Sequence, residues 1–269
     1  MKNLCFTLFA ALALLSCEEA INLDLPNSEP RLVIDALLGY SKADPDSTTI
    51  GEVRLTLTAP FLAESVPIAV GAQVEIIDET SQEAFVLGER VPGVFSENLP
   101  QLRPNRDYTL RVVYQNEEYK ATEQLNGAAF IDSIEQGDGF LNDEEKETET
   151  IVTFTDIPNQ RNYYLFSFGG DDFLVTDDEF YQNSQLTFSF FYEDLEPGDL
   201  AIITLIGIDA DFARYADLAL TQASGEAGSA FSVPAATVRG NIINATDAEN
   251  FPFGYFALGE FDVTTLTIE

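Results

Sequence analysis

Apolar residues recur along this chain at every second position, and that period governs what it can fold into. Successive side chains on a strand point to opposite faces, so alternation marks a half-buried β-strand, whereas a helix needs a period of 3.6. Glu52 to Thr58 alternates cleanly, with Val53, Leu55 and Leu57 on one face. Asp107 to Tyr114 puts Tyr108, Leu110 and Val112 on one face, and Glu118 to Thr122 follows as its hairpin partner after Gln115-Asn116-Glu117. Arg31 to Leu38, Ala72 to Ile77 and Ala84 to Leu87 supply further strands, punctuated by turn residues at Asp44-Pro45-Asp46, Gly88 and Pro92-Gly93. Roughly six or seven short strands at this spacing predict an immunoglobulin-like β-sandwich over residues 31–135.

Gln136 to Thr150 breaks the pattern. It is dense in Asp and Glu and carries two Gly, which predicts an exposed acidic loop over 136–150. A second β-rich domain over 151–269 follows, with strands at Thr150 to Phe154, Tyr163 to Phe168, Gln185 to Tyr192, Asp199 to Ile208, Gly254 to Leu258 and Phe261 to Ile268, and an extended segment from Ala235 to Asn241. Its one short helix is predicted over Asp211 to Ala223, with Asp211 as N-cap and Phe212, Tyr215, Leu218 and Ala219 on one face. The fold class is therefore mainly β.

Composition limits the chemistry. The 269 residues hold 46 Asp or Glu against 13 Lys or Arg, for a formal net charge of -33, and neither His nor Trp. Without His there is no Ser–His–Asp or Cys–His nucleophile set and no imidazole metal ligand. The negative charge opposes binding to nucleic acid, whose phosphates need clustered Lys and Arg, and to anionic lipid surfaces. A hydrophobic share of 45% belongs to a folded protein rather than to an acidic disordered tail. Spread over both halves and densest in loops, the acidity reads mainly as a solvating, salt-tolerant surface.

The N-terminus carries an address. Lys2 precedes an uncharged apolar run from Leu4 to Leu15, too short to span a bilayer, which needs ~20 residues, but suited to the h-region of a signal peptide. Leu14-Leu15-Ser16-Cys17 resembles the lipobox of bacterial lipoproteins, with Leu15 departing mildly from the usual small residue. The expectation is a lipoprotein signal peptide over 1–16 and an acylated Cys17 opening a tether over 17–30. Cys5 would leave with the signal, so Cys17 would be the one remaining Cys, with no partner for a disulfide. Two or three acyl chains at one site anchor stably where a single chain is marginal. Glu18-Glu19 resembles the export signal that sends lipoproteins of Bacteroidota to the outer face of the outer membrane.

Acidic clusters are the strongest remaining signal for a ligand. Asp171, Asp172, Asp177 and Asp178 lie on what reads as a loop between aromatic strands, and Asp138, Asn142, Asp143 and Glu145 lie in the acidic loop. Such loops can supply the oxygen ligands of calcium, but neither fits the EF-hand spacing, and adjacent carboxylates follow from composition alone. The preferred reading is solvated loop, with these aspartates as weak calcium candidates. No carboxylate pair can be placed at glycosidase separation from sequence, so the chain reads as non-enzymatic and free of cofactors. The Tyr and Phe of Tyr163 to Phe168 read as core rather than as a carbohydrate platform.

Four stretches together resemble a known family. Ser16 to Leu38 joins a Cys, a Pro-containing tether and an apolar strand; Asn105 to Ala121 has a Tyr-x-Leu-x-Val … Tyr-x-Ala hairpin. Ile151 to Tyr164 has an Asp … Pro … Asn-Tyr-Tyr stretch, with Ile157 interposed before Pro158. Ala230 to Phe256 carries Pro234, Gly240-Asn241-Ile242 and Gly254-Tyr255-Phe256 in order. In these the chain resembles the Bacteroidota outer-membrane lipoproteins catalogued as domain of unknown function 4249. The resemblance implies a lipid-anchored protein at the outer membrane, facing the cell exterior, whose genes often neighbour TonB-dependent receptors. The expected role is a non-enzymatic accessory subunit of a TonB-dependent nutrient uptake system, its ligand unnamed. The alternative is a stand-alone surface adhesion or structural β-sandwich lipoprotein.

Overall fold

The alternating segments become strands because each can bury one face, and two separate cores receive them. The computed structural model describes residues 29–44, 48–60, 63–141, 147–170, 172–193, 195–223 and 237–269. The signal peptide, Cys17, Glu18, Glu19 and the tether up to residue 28 lie outside the described residues, as do Asn142, Asp143, Glu145, Asp171 and Pro234.

The first core is a two-layer sandwich. One layer contains β1 (Leu32–Ser41), β2 (Ile50–Leu57) and the short β5 (Val94–Ser96); the other contains β3 (Gln73–Asp78), β6 (Asp107–Tyr114) and β7 (Glu117–Gln124). β4 (Glu83–Val91) joins the layers, pairing with β3 along its first half and with β5 at its end, where the register shifts between Glu89 and Val91. An irregularity there bends the strand and turns the sheet over the core. Ile34, Val53, Leu55, Ile76, Leu110 and Val112 are fully sequestered between the layers. The β6–β7 hairpin turns on Gln115 and Asn116, both at positive φ, as a two-residue turn requires.

The second core is aromatic. β8 (Phe130–Gln136), β9 (Glu147–Thr155) and β12 (Gln185–Glu193) form a three-stranded sheet over β10 (Tyr163–Ser167), β13 (Leu200–Ile208) and the end of β15 (Phe253–Thr267). Tyr164 and Phe166 on β10, and Phe168 just beyond it, meet Phe154, Phe188 and Phe190 edge-on or stacked, at 3.8–6.3 Å between ring centroids. These rings are core, as expected. The opposite face of β10 is covered too: Leu165 packs with Ala213 of the helix α1 (Ala210–Ala223), which lies on β10 and β11 (Phe173–Asp177).

β15 connects the two cores. Its first part pairs in parallel with β1, from Val33 opposite Phe253 to Ser41 opposite Phe261. Its last part pairs antiparallel with β13, from Ile206 opposite Phe261 to Leu200 opposite Thr267. Twelve strands thereby share one hydrogen-bonded order, ending at β11 on one side and at β14 (Ile243–Asn244) on the other. Sequence reads the end of the chain as two strands within the second domain, yet Ile242, Phe256 and Leu258 belong to the first core. Conversely, β8 pairs with β9 and serves the second core, and residues 147–150, expected in the acidic loop, open β9. Alternation reports which face of a strand is buried, not which core receives it.

Candidate functional site

The acidic clusters resolve into structure. β11 runs between the two groups of calcium candidates, and five residues of strand at ~3.3 Å rise separate Asp172 from Asp177 by roughly 16 Å. Asp177 and Asp178 instead hold Arg161, whose Nη2 lies 2.7 Å from Asp177 Oδ1 and whose Nε lies 3.2 Å from Asp178 Oδ1. Asp178 is fully buried, and its Oδ2 accepts the backbone N–H of Asn162 at 2.9 Å. Beside it Asp156 accepts from Tyr164 Oη at 2.7 Å, Asn162 Nδ2 at 3.0 Å and the Asn183 N–H at 2.8 Å. The Asp156 … Asn162 … Tyr164 pattern is therefore a buried polar knot that closes the second core. Asp156→Ala leaves Tyr164 and Asn183 without acceptors, at ~1–3 kcal/mol each, so urea unfolding should show a loss of about 3 kcal/mol. Among the described residues no group of three or more Cys, Asp or Glu is arranged to hold a metal ion.

A different place offers a cavity. About 530 Å³ opens between α1, residues 237–241 and β15. The helix is set there by Asp209, whose Oδ1 accepts the Phe212 N–H at 2.7 Å and whose carbonyl accepts Ala213 N–H at 2.9 Å. The cap is thus Asp209 rather than the expected Asp211, which pairs with Arg214 in the first turn. Ala213 and Ala216 form the buried helix face. Phe212 and Tyr215 lie against Tyr255, each with ring centroids 5.0 Å away, while Leu218, expected on the buried face, is 49% exposed and lines the cavity.

The opposite wall explains the Gly-Asn-Ile and Gly-Tyr-Phe segments. The Asn241 side chain imitates a ladder partner: its Nδ2 donates to the Phe256 carbonyl at 2.7 Å and its Oδ1 accepts the Phe256 N–H at 2.9 Å. A Cβ on Gly240 would stand 1.7 Å from the Gly254 carbonyl oxygen, so only glycine lets these backbones meet. Asn241 Nδ2 also donates to Glu123 Oε1 of β7 at 2.6 Å, bringing a first-core carboxylate under the cavity. Arg239 stacks 3.4 Å over Phe251, a ring that Arg31 also covers at 3.8 Å. Among the described residues no carboxylate pairs with Arg239, against 46 acids in the chain. Tyr255 is 5% exposed, lines the cavity, and its Oη has no hydrogen-bond partner among the described residues.

The electrostatics follow from this crowding. Burial pushes the Glu123 carboxyl up to about 7; the hydrogen bond from Asn241 opposes the shift, and neighbouring Asp209 adds to it. Burial also pushes the Tyr255 hydroxyl well above its ordinary value, reinforced by Asp209, Glu123 and Asp211, so it stays protonated as a donor. A Glu whose folded pKa is raised binds more protons in the folded chain than in the unfolded one between the ordinary value of 4.5 and about 7. Stability from this group is accordingly full below that window and declines as pH rises through it. Glu123→Gln should flatten that decline: between about pH 5 and about pH 8 its thermal midpoint should fall less than the wild type's, and parallel pH curves would contradict the assignment.

Comparison with known proteins places the whole arrangement. A family model described as Domain of unknown function (DUF4249) matches residues 18–265. The chain belongs to the DUF4249 family. The matched region contains the first core, the second core apart from Leu266 and Ile268, the Asp156 knot and every residue of the cavity. No curated protein matches. Among solved structures, the chain is similar to the chicken interferon gamma receptor alpha chain at 9% identity and a TM-score of 0.18, covering 67% of this chain and 89% of that one. It is also similar to the FN1–FN3 domains of chicken CNTN1 at 12% identity and a TM-score of 0.19, covering 65% of this chain and 61% of that one. No helix among the described residues of this DUF4249 protein is long and apolar enough to cross a membrane.

Proposed function

We propose that this DUF4249 protein is a lipid-anchored, outward-facing lipoprotein of the outer membrane, a non-enzymatic accessory subunit of a TonB-dependent nutrient uptake system. The observation that carries the reading is the run Leu4 to Leu15 ending at Ser16-Cys17, followed at once by Glu18-Glu19. A short apolar h-region with a Cys at its cleavage point supplies an anchor, and the acidic pair supplies an outward address. The absence of His and the use of the buried aspartates as structural acceptors support a binding role over catalysis. The cavity beside α1 gives such a subunit a place to hold a ligand. Affinity purification of the tagged protein from native membranes tests the partnership. Recovery of a TonB-dependent barrel is the expected result, and its absence under conditions that retain the lipoprotein overturns the accessory role.

A further inference from the structure

We infer that two copies of this protein pair through the open edge of β12, antiparallel about Ser189, so that their three-stranded sheets join into one of six strands. β12 is bonded along one side alone. It pairs with β9 without a break, from Gln185 opposite Thr155 to Glu193 opposite Glu147, and it ends the order β12-β9-β8. No strand among the described residues lies along its other side, where a row of backbone N–H and C=O groups points outward.

Natural edges are blunted by brevity, bulges, Pro or charge. The other edges of this fold show such devices. β14 has two residues and β11 five, and β8 carries Asp132, Glu135 and a register shift between Ile131 and Ser133. β12 has none of them: it is nine residues long and regular, with neither Pro nor Gly and no charge before Glu193. The uncharged run reaches back to Phe180, 13 residues in a chain that is 22% charged. The flank is apolar as well. Leu186, Phe188 and Phe190 pack against the second core but stay half-buried, and a strand alongside would cover them further. Phe180, in the turn that joins the open edges β11 and β12, is 94% exposed, and Phe173 and Leu174 on β11 are exposed too.

The sequence of β12 fits a second copy of itself. Antiparallel pairing about Ser189 sets Phe188 opposite the partner's Phe190, Leu186 opposite the partner's Tyr192, and Thr187 opposite the partner's Phe191. Aromatic pairs of this kind stabilise antiparallel ladders. Glu193, the one charge of the strand, meets the partner's Gln185 rather than another carboxylate. Between chains of net charge -33, repulsion is least where the contact carries no charge, and this edge supplies such a contact. The pairing is two-fold and uses up both edges, so it closes as a dimer.

The test uses residues 17–269 behind an ordinary cleavable secretory signal, with Cys17→Ser, so that an introduced thiol is the only one. Opposite residues of an antiparallel pair have Cα atoms ~4.5–5.5 Å apart, within the ~4.4–6.8 Å that a disulfide spans. Oxidation of Ser189→Cys with copper phenanthroline should therefore give a reducible dimer on a non-reducing gel. Thr187→Cys lies four positions out of step with its own copy, roughly 13 Å away, and should give several-fold less, as should Ser65→Cys on the first core. Sedimentation velocity of the chain without an added Cys should show a monomer–dimer equilibrium. A monomer alone at about 0.1 mM overturns the dimer. A dimer in which Ser189→Cys does not cross-link, or cross-links no better than Thr187→Cys or Ser65→Cys, overturns the β12 contact. The thermal midpoint of each variant is measured beside it, and Ser189→Cys should keep the wild-type value because its side chain is exposed. Neither anchor nor receptor enters this test, so its result is read independently of the purification above.

Discussion

Cys17→Ser moves the protein from the washed membrane fraction to the soluble fraction. Serine has no thiol to form the thioether on which the diacylglyceryl group is built, so the acyl anchor is lost with it, and the variant is made behind an ordinary cleavable secretory signal in place of residues 1–16 so that no uncleaved apolar run holds it in the membrane. Each buried CH₂ of an acyl chain contributes about 0.8 kcal/mol to membrane affinity, and two or three chains together bind stably. No described helix can replace that anchor, and a surface of net charge -33 is repelled by anionic headgroups. The expected change is therefore close to complete: fractionation and immunoblotting should find the wild type in membranes and the variant outside them. Retention of Cys17→Ser in carbonate-washed membranes sinks the anchor.

The second large effect lies at the meeting of β13, β15 and β1. A Cβ added to Gly259 would stand 2.2 Å from the Gly207 carbonyl oxygen, and one added to neighbouring Gly39 would stand 2.0 Å from the Gly259 oxygen. These obstacles are backbone, which cannot rotate aside as a side-chain tip can. Gly259→Val should cost about 3 kcal/mol or more, since overpacking against fixed atoms forces strands apart. For a chain of this size that corresponds to a drop of about 6–12 °C in thermal midpoint. β15 carries Phe256 and Leu258 into one core and Leu266 against the other, so both cores should melt earlier together. Calorimetry showing a shift under about 2 °C, or one half melting at its wild-type temperature, would contradict this role for β15.

How much of this was readable beforehand depends on range. The faces of β2 and β6 follow from alternation, and Val53, Leu55, Leu110 and Val112 are buried as the pattern dictates. The helix was legible from its period, but its cap was misplaced because Asp209 and Asp211 both precede apolar residues and only geometry shows which oxygen reaches an N–H. The short β5 and β11 have too few residues to show a period. The cavity was hidden for a different reason: Glu123, Arg214, Arg239 and Tyr255 come from four distant stretches. Gly240-Asn241-Ile242 and Gly254-Tyr255-Phe256 stood out in the sequence, yet nothing local indicates that Asn241 bonds the backbone of Phe256. The acidic pairs misdirected attention, because Asp178 is an internal acceptor rather than a solvated ligand donor.

The parallel pairing of β1 with β15 also sets an order of events during synthesis. Val33 leaves the ribosome long before Phe253, the residue that lies beside it. Until then β1 has one open edge, and the first core lacks Phe256 and Leu258. The amino-terminal sandwich therefore completes only after Phe253 to Leu258 has emerged, and its closure must wait for a contact between segments far apart in the chain. A first core built this way stays open, and able to pass a narrow conduit, until β15 arrives.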